Sequence, residues 1–152
     1  EAVKILRDTY PGREIEWYVF GEALLPPDNK IASYKSTGFV QGKDLAKFYS
    51  SGDVMLCPAW YESFPLYPLE AMACGVPAVT TPYGTEDYAI DGSTALIVPA
   101  KKPQEMAKAM RRLIEEKGLA NKLKANALAK TKEFTWEKSV TNLEKVLSVG
   151  SN

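Results

Sequence analysis

The feature that most constrains this sequence is the order of its elements. Short runs of β-branched and aromatic residues alternate with stretches of helical spacing. Residues 15–20 (IEWYVF), 34–40, 53–57, 77–80 and 95–98 read as strands. Residues 2–10 read as a helix closed by Pro11-Gly12, and residues 44–51 as a second with Leu45, Phe48 and Tyr49 at helical spacing. Gly52 suits the C-terminal cap of that second helix. A third helix, residues 66–74, has Pro65 near its start and Gly75 past its end, the favoured asymmetry. Three more helices follow over residues 103–117, 120–133 and 136–149, and residues 23–33, with Pro26-Pro27-Asp28-Asn29, read as a loop. This alternation predicts an α/β fold: a doubly wound, Rossmann-like parallel sheet with helices on both faces. Ligands in such sheets bind outside the carboxyl ends of the strands. The loops after Phe20, Val40, Cys57 and Thr80 are therefore where a site is expected.

Length and charge fit one ordinary domain. The chain has 152 residues, expected to form a single unit over 1–152. Lys plus Arg equal Asp plus Glu at 19 each, so no strong field draws in nucleic acid, and no nucleic-acid partner is expected. The longest apolar runs fall far short of the ~20 residues that a membrane span needs. Cys57 and Cys74 follow apolar runs and read as buried free thiols in a reducing compartment. With no histidine and two dispersed cysteines, no metal site is expected. The missing histidine also removes the usual general base, so carboxylates or a substrate group must handle protons.

One loop carries a chemical pattern. Glu62 lies in the segment between the strand ending at Cys57 and the helix from Leu66; Glu70 lies eight positions on, about a turn inside that helix. A helix start offers free N–H groups and the positive end of the dipole, a natural seat for phosphate. A carboxylate on the same helix can accept two hydrogen bonds from ribose hydroxyls. A second one just before it could take sugar hydroxyls beyond the phosphates. Spacing alone also fits two solvated surface charges.

The surrounding residues decide between these readings. The run ESFPLYPLEAMACGVPAVTT resembles the E-x7-E region of GT-B glycosyltransferases, in particular family 4 (group 1) of the retaining enzymes. Glu62, Phe64, Leu66, Leu69, Glu70, Ala71, Met72, Ala73, Gly75 and Pro77 match its pattern E-G-F-G-L-x-x-L-E-A-M-A-x-G-x-P-V-V. The likeness extends upstream through Gly38-Phe39-Val40, Asp44-Leu45, Tyr49 and Gly52-Asp53. Downstream it continues in Asp91-Gly92 and the segment ending Leu96-Ile97-Val98-Pro99. It covers nearly the whole chain.

The resemblance implies the C-terminal half of a GT-B fold: the donor-binding domain of an enzyme that transfers a hexosyl or deoxyhexosyl group from a nucleotide sugar to a glycan or lipid-linked acceptor. It implies that Glu62 contacts the donor sugar beside the reacting carbon and that Glu70 binds the ribose. It assigns sugar and phosphate contacts to backbone N–H groups after Glu62, at Ser63, Phe64 and Leu66. Gly38, Phe39 and Val40 would pack on the base, with Leu45 nearby, and the loop containing Thr81, Tyr83 and Gly84 would flank the site. Ser63 and Pro65 stand where the family has glycines. Pro65, still counted in the donor loop, stiffens it and removes a donor, implying rearranged contacts or a less hydroxylated sugar such as a deoxysugar.

No metal or other cofactor is implied, since cationic side chains and a helix dipole stabilise the leaving diphosphate. The resemblance places a first strand, the family's Arg/Lys phosphate clamp and an acceptor-binding N-terminal domain upstream of Glu1. The chain is thus expected to be truncated at its N-terminus and inactive alone. The parent protein is expected in the cytoplasm; the charged helices over 101–133 read as solvated faces, with peripheral association of a basic face at the inner surface of the membrane as the alternative.

The alternatives are a stand-alone nucleotide-binding or regulatory module, and a receiver-like signalling domain. The latter is disfavoured because Asp53 opens its strand, where a phospho-acceptor would end one. Trp17, Tyr18 and Phe20 are expected in the core and Cys74 in packing, while Trp60-Tyr61 can equally line the cleft or face solvent. Thr135 is expected to cap the last helix with Trp136 buried at its start. In complete GT-B proteins that helix crosses to the N-terminal domain, so residues 136–149 should be the least settled.

Overall fold

The computed structural model describes residues 1–21 and 33–149, so the loop at 26–29 lies outside the described residues. The elements are α1 (Ala2–Thr9), β1 (Tyr18–Val19), β2 (Lys35–Ser36), α2 (Gly42–Ser51), β3 (Met55–Cys57), α3 (Leu66–Ala73), β4 (Ala78–Thr80), β5 (Ala95–Ile97), α4 (Pro103–Glu115), α5 (Leu119–Thr131) and α6 (Trp136–Val149). Every strand pairing is parallel. The expected α/β architecture with a parallel sheet between helices is what the chain forms.

Strand alternation sorts the core into two faces. Val79 and Leu96 point to one side, where Val3 and Leu6 of α1 and Met106, Ala107 and Met110 of α4 cover them. Ala78 and Ala95 point to the other, against Leu69 and Met72 of α3 and Ala127 of α5. All three residues of β4 are buried. Each fully buried aliphatic side chain here contributes roughly 2 kcal/mol of transfer free energy. A third cluster joins Tyr49 of α2 to Ala71 and Val76, with Phe20, Leu45, Phe48, Tyr67 and Cys74 around it. Cys57 is buried, Cys74 half-buried, and both are free thiols.

The sheet is divided among the described residues. β1 pairs with β2, and β3, β4 and β5 form a separate ladder in that order. Yet Trp17 and Leu56 pack against the same cluster, as do Phe20 and Met55. The edges of β1 and β3 thus flank common cores without hydrogen bonds to each other.

Four local expectations need correction. Tyr18 is exposed and its hydroxyl donates to Glu16, while Trp17 and Phe20 on either side of it pack into core clusters. β3 begins at Met55, so Asp53 precedes the strand and does not open it. Gly52 caps α2 in an extended conformation (φ −88°), with its N–H donating to the Tyr49 carbonyl, so no left-handed cap is used. Trp136 is 84% exposed. Thr135 does accept the Lys138 N–H at 3.3 Å, but the stripe Trp136, Val140, Leu143 and Leu147 is exposed too. No helix among the described residues is long and apolar enough to cross a membrane.

Three contacts fix the segment between β3 and α3. The Thr81 hydroxyl donates to the Ala59 carbonyl at 2.6 Å. The buried Tyr88 hydroxyl donates to the Pro65 carbonyl at 2.7 Å, its ring 5.5 Å from that of Phe64. Between these, the backbone at Gly84 runs against the Glu62–Ser63 peptide. A Cβ at Gly84 would lie 2.5 Å from the Glu62 carbonyl oxygen and 2.7 Å from the Ser63 carbonyl carbon, and Gly84 has φ +72°. Only glycine fits here, on both counts. Gly84→Ala is expected to destabilise the chain by about 2–3 kcal/mol through strain and backbone displacement. Urea unfolding checks this; a loss below ~0.5 kcal/mol would mean that the loop moves aside freely.

Candidate functional site at the carboxyl edge of the sheet

The parallel register puts the carboxyl ends of β3, β4 and β5 at one edge, where the segments beginning at residues 58, 81 and 98 leave the sheet. Glu62 is exposed in the first of these segments. Among the described residues no hydrogen bond or ion pair reaches its carboxylate. Glu70, also exposed, lies on α3. Its carboxylate oxygen Oε2 accepts the Tyr49 hydroxyl at 2.9 Å.

The start of α3 is unusual in composition. Pro65 is the N-cap and no side chain caps the helix. Of the orphan N–H positions at a helix start, Pro65 and Pro68 have none to offer. Leu66 and Tyr67 keep theirs, and among the described residues neither these nor the N–H groups of Ser63 and Phe64 are hydrogen-bonded. Four main-chain donors are therefore concentrated beside Glu62, at the positive end of α3.

The other candidate residues divide in two. Phe64 is half-buried, its ring in a cluster with Tyr88 and Phe134. Pro65 is buried, with its carbonyl engaged by Tyr88. Leu66 and Tyr83 are exposed, and Thr81 is buried and tied to Ala59. Of these segments, the backbone at Gly84 is the part that meets Glu62, at its main chain. Gly38, Phe39 and Val40 lie between β2 and α2, with the Gly21 N–H donating to the Gly38 carbonyl at 3.0 Å. Phe39 is 63% exposed. Leu45, on α2, packs in the cluster that contains Tyr49 and Tyr67. Among the described residues no hydrogen bond joins 38–40 to 58–66.

Three further residues shape the edge through contacts that have no signal in the sequence. Tyr88 anchors Pro65 from a fully buried position. Tyr49 was legible as one face of a helix, not as the partner of Glu70. Lys101 has φ 58° and sets its ammonium 4.4 Å from the centre of the exposed Trp60 ring, so the loops after β3 and β5 meet through a cation–π contact. Tyr61 beside it is 89% exposed. Burial raises the pKa of Tyr49 above the ordinary tyrosine value, with Glu70 adding to the shift; burial does the same for Tyr67 and Tyr88. All three hydroxyls remain protonated at neutral pH; those of Tyr49 and Tyr88 donate, to Glu70 and to the Pro65 carbonyl, while that of Tyr67 accepts from the Cys57 thiol.

Comparison with known proteins identifies the family. The D-inositol 3-phosphate glycosyltransferase of Actinosynnema mirum is 31% identical over 133 residues, covering 81% of this chain and 32% of that protein. Its counterpart from Paenarthrobacter aurescens is 29% identical over 150 residues, covering 91% and 37%. The chain thus spans about a third of the length of these curated relatives. Among solved structures, sucrose-phosphate synthase from Thermosynechococcus elongatus aligns with a TM-score of 0.68 at 29% identity, over 78% of this chain and 31% of that one. Anabaena HepE in complex with UDP-glucose aligns with a TM-score of 0.76 at 21% identity, over 96% of this chain and 44% of that one, a likeness of fold. The family model for glycosyl transferases group 1 matches residues 1–116, and the chain belongs to that family.

Proposed function

We propose that this chain is the nucleotide-sugar-binding half of a retaining glycosyltransferase whose parent protein transfers a sugar to a glycan or lipid-linked acceptor. The observation that carries the reading is the flanking of the α3 start, with its free main-chain N–H groups, by the exposed carboxylates of Glu62 and Glu70. A nucleoside diphosphate sugar matches that order of groups. Glu70 takes the ribose hydroxyls, the N–H groups meet the diphosphate, and Glu62 meets the sugar. The relatives are named as glycosyltransferases, and HepE, similar in fold, holds UDP-glucose, which supports a donor of this class.

The chemistry follows from that placement. The bond from the anomeric carbon to the diphosphate oxygen breaks as the acceptor hydroxyl attacks from the same face. The departing phosphate oxygen takes the acceptor's proton. The free N–H groups and the helix dipole stabilise the developing negative charge, so no metal is called for in this reading. The acceptor and the cationic phosphate clamp come from outside the described residues, and the chain alone binds donor without turning it over.

The divided sheet supports the same reading. Among the described residues β1 and β3 share clusters on both faces but no ladder, and one parallel strand between them would satisfy both edges. A longer chain that includes such a strand should slow amide exchange at residues 18–19 and 55–57; unchanged exchange there would remove this part of the reading.

Calorimetric titration with UDP, GDP, ADP and TDP tests the site. At least one should bind, and Glu70→Ala should weaken it by about tenfold or more, the scale of a hydrogen bond to a charged group. An intact affinity after that change would sink the ribose role. We further propose that Pro65 narrows the sugar choice toward deoxysugars. The matching nucleotide 6-deoxyhexose should then bind more tightly than the hydroxylated hexose, and equal binding would dismiss the idea.

A further inference from the structure

Tyr49 stands where two elements meet. It lies near the end of α2, is 5% exposed, and belongs to the cluster with Ala71 and Val76. Its ring is edge-on to Phe20, centroids 5.6 Å apart, and tilted against Phe48 at 6.3 Å. Packing on several sides leaves the phenol little freedom. Its hydroxyl donates to Oε2 of Glu70 at 2.9 Å. Among the described residues no other side chain hydrogen-bonds to that carboxylate.

A solvent-facing glutamate ordinarily samples many rotamers, and ordering it on binding costs affinity. Here a neutral donor on a rigid support holds one oxygen, the stronger kind of hydrogen bond because the acceptor is charged. Among the described residues the other oxygen, Oε1, has no hydrogen-bond partner, and it keeps its capacity for ligand hydroxyls. We propose that Tyr49 is a positioning residue for ribose recognition: it fixes the Glu70 carboxylate through Oε2 and so presents Oε1 to the 2′- and 3′-hydroxyls of the bound nucleotide. This rests on the reading of Glu70 as the ribose ligand. Tyr49 itself touches no substrate.

A purely structural tie between α2 and α3 would use the same hydrogen bond, so the test must depend on the ribose. The chain is titrated with UDP, GDP and ADP, and the tightest is compared with its 2′,3′-dideoxy analogue. Wild type, Tyr49→Phe, Glu70→Ala and the double variant are measured. Phe keeps the ring packing, and circular dichroism verifies the fold of each variant. Tyr49→Phe should weaken the ribonucleotide by about fivefold, within the range for residues in direct contact. It should leave the dideoxy analogue unchanged and add nothing to Glu70→Ala.

Equal weakening of both nucleotides, or additive losses in the double variant, would show a structural tie and overturn the proposal. An unchanged affinity in Tyr49→Phe, with Glu70→Ala impaired, would also overturn it and leave the ribose role of Glu70 standing. If Glu70→Ala binds as wild type does, or no nucleotide binds at millimolar concentration, the reading of Glu70 fails and the proposal fails with it.

Discussion

Burial of β4 on both faces is the constraint from which the rest of the structure follows. Ala78, Val79 and Thr80 are all buried, with Val79 under α1 and α4 and Ala78 under α3 and α5. Parallel partners on either side and helices over both faces supply that cover. That forces the chain to leave β3, β4 and β5 at the same edge. Three connecting segments are brought together there, and residues far apart in sequence become neighbours.

Those segments are then locked by few but specific contacts. Thr81 holds Ala59, Gly84 lies against the Glu62–Ser63 peptide, and Tyr88 takes the Pro65 carbonyl. The first and last are hydrogen bonds from residues with almost no exposure, and the middle one is a steric fit that admits no Cβ. A loop fixed at three points along its length can present backbone N–H groups in a set arrangement. Preorganised donors of this kind can stabilise a developing anion without reorganising. The two prolines flanking the start of α3 reduce the number of donors, and the remaining ones are concentrated at Ser63, Phe64, Leu66 and Tyr67.

The two glutamates are not equivalent in this setting. Glu62 sits on the clamped segment through its main chain, and among the described residues no hydrogen bond or ion pair reaches its carboxylate. Glu70 sits on a regular helix, and its carboxylate is held by a buried tyrosine from another helix. One group is positioned by its backbone and the other by its side chain. That difference suits a site in which one carboxylate follows a variable sugar and the other meets an invariant ribose. The apolar stripe of α6 is separate from all of this. It is exposed over Trp136, Val140, Leu143 and Leu147.

The sequence by itself determined the class of fold, the order of elements and the motif around Glu62 and Glu70. Period-2 and period-3.6 patterns and Pro/Gly punctuation are local, so a chain read residue by residue displays them. It also marked Gly75 as the stop of α3, and the structure places it there with φ +77°. Only the tertiary structure decided that Tyr18 and Trp136 face solvent, because burial depends on what lies opposite and not on hydrophobicity alone. Only it revealed Gly84 against Glu62, Tyr88 under Pro65 and Tyr49 on Glu70, pairs separated by about 21 to 23 positions. Contacts of that range arise when the sheet aligns the ends of its strands. No local pattern encodes which side chain will then stand opposite which.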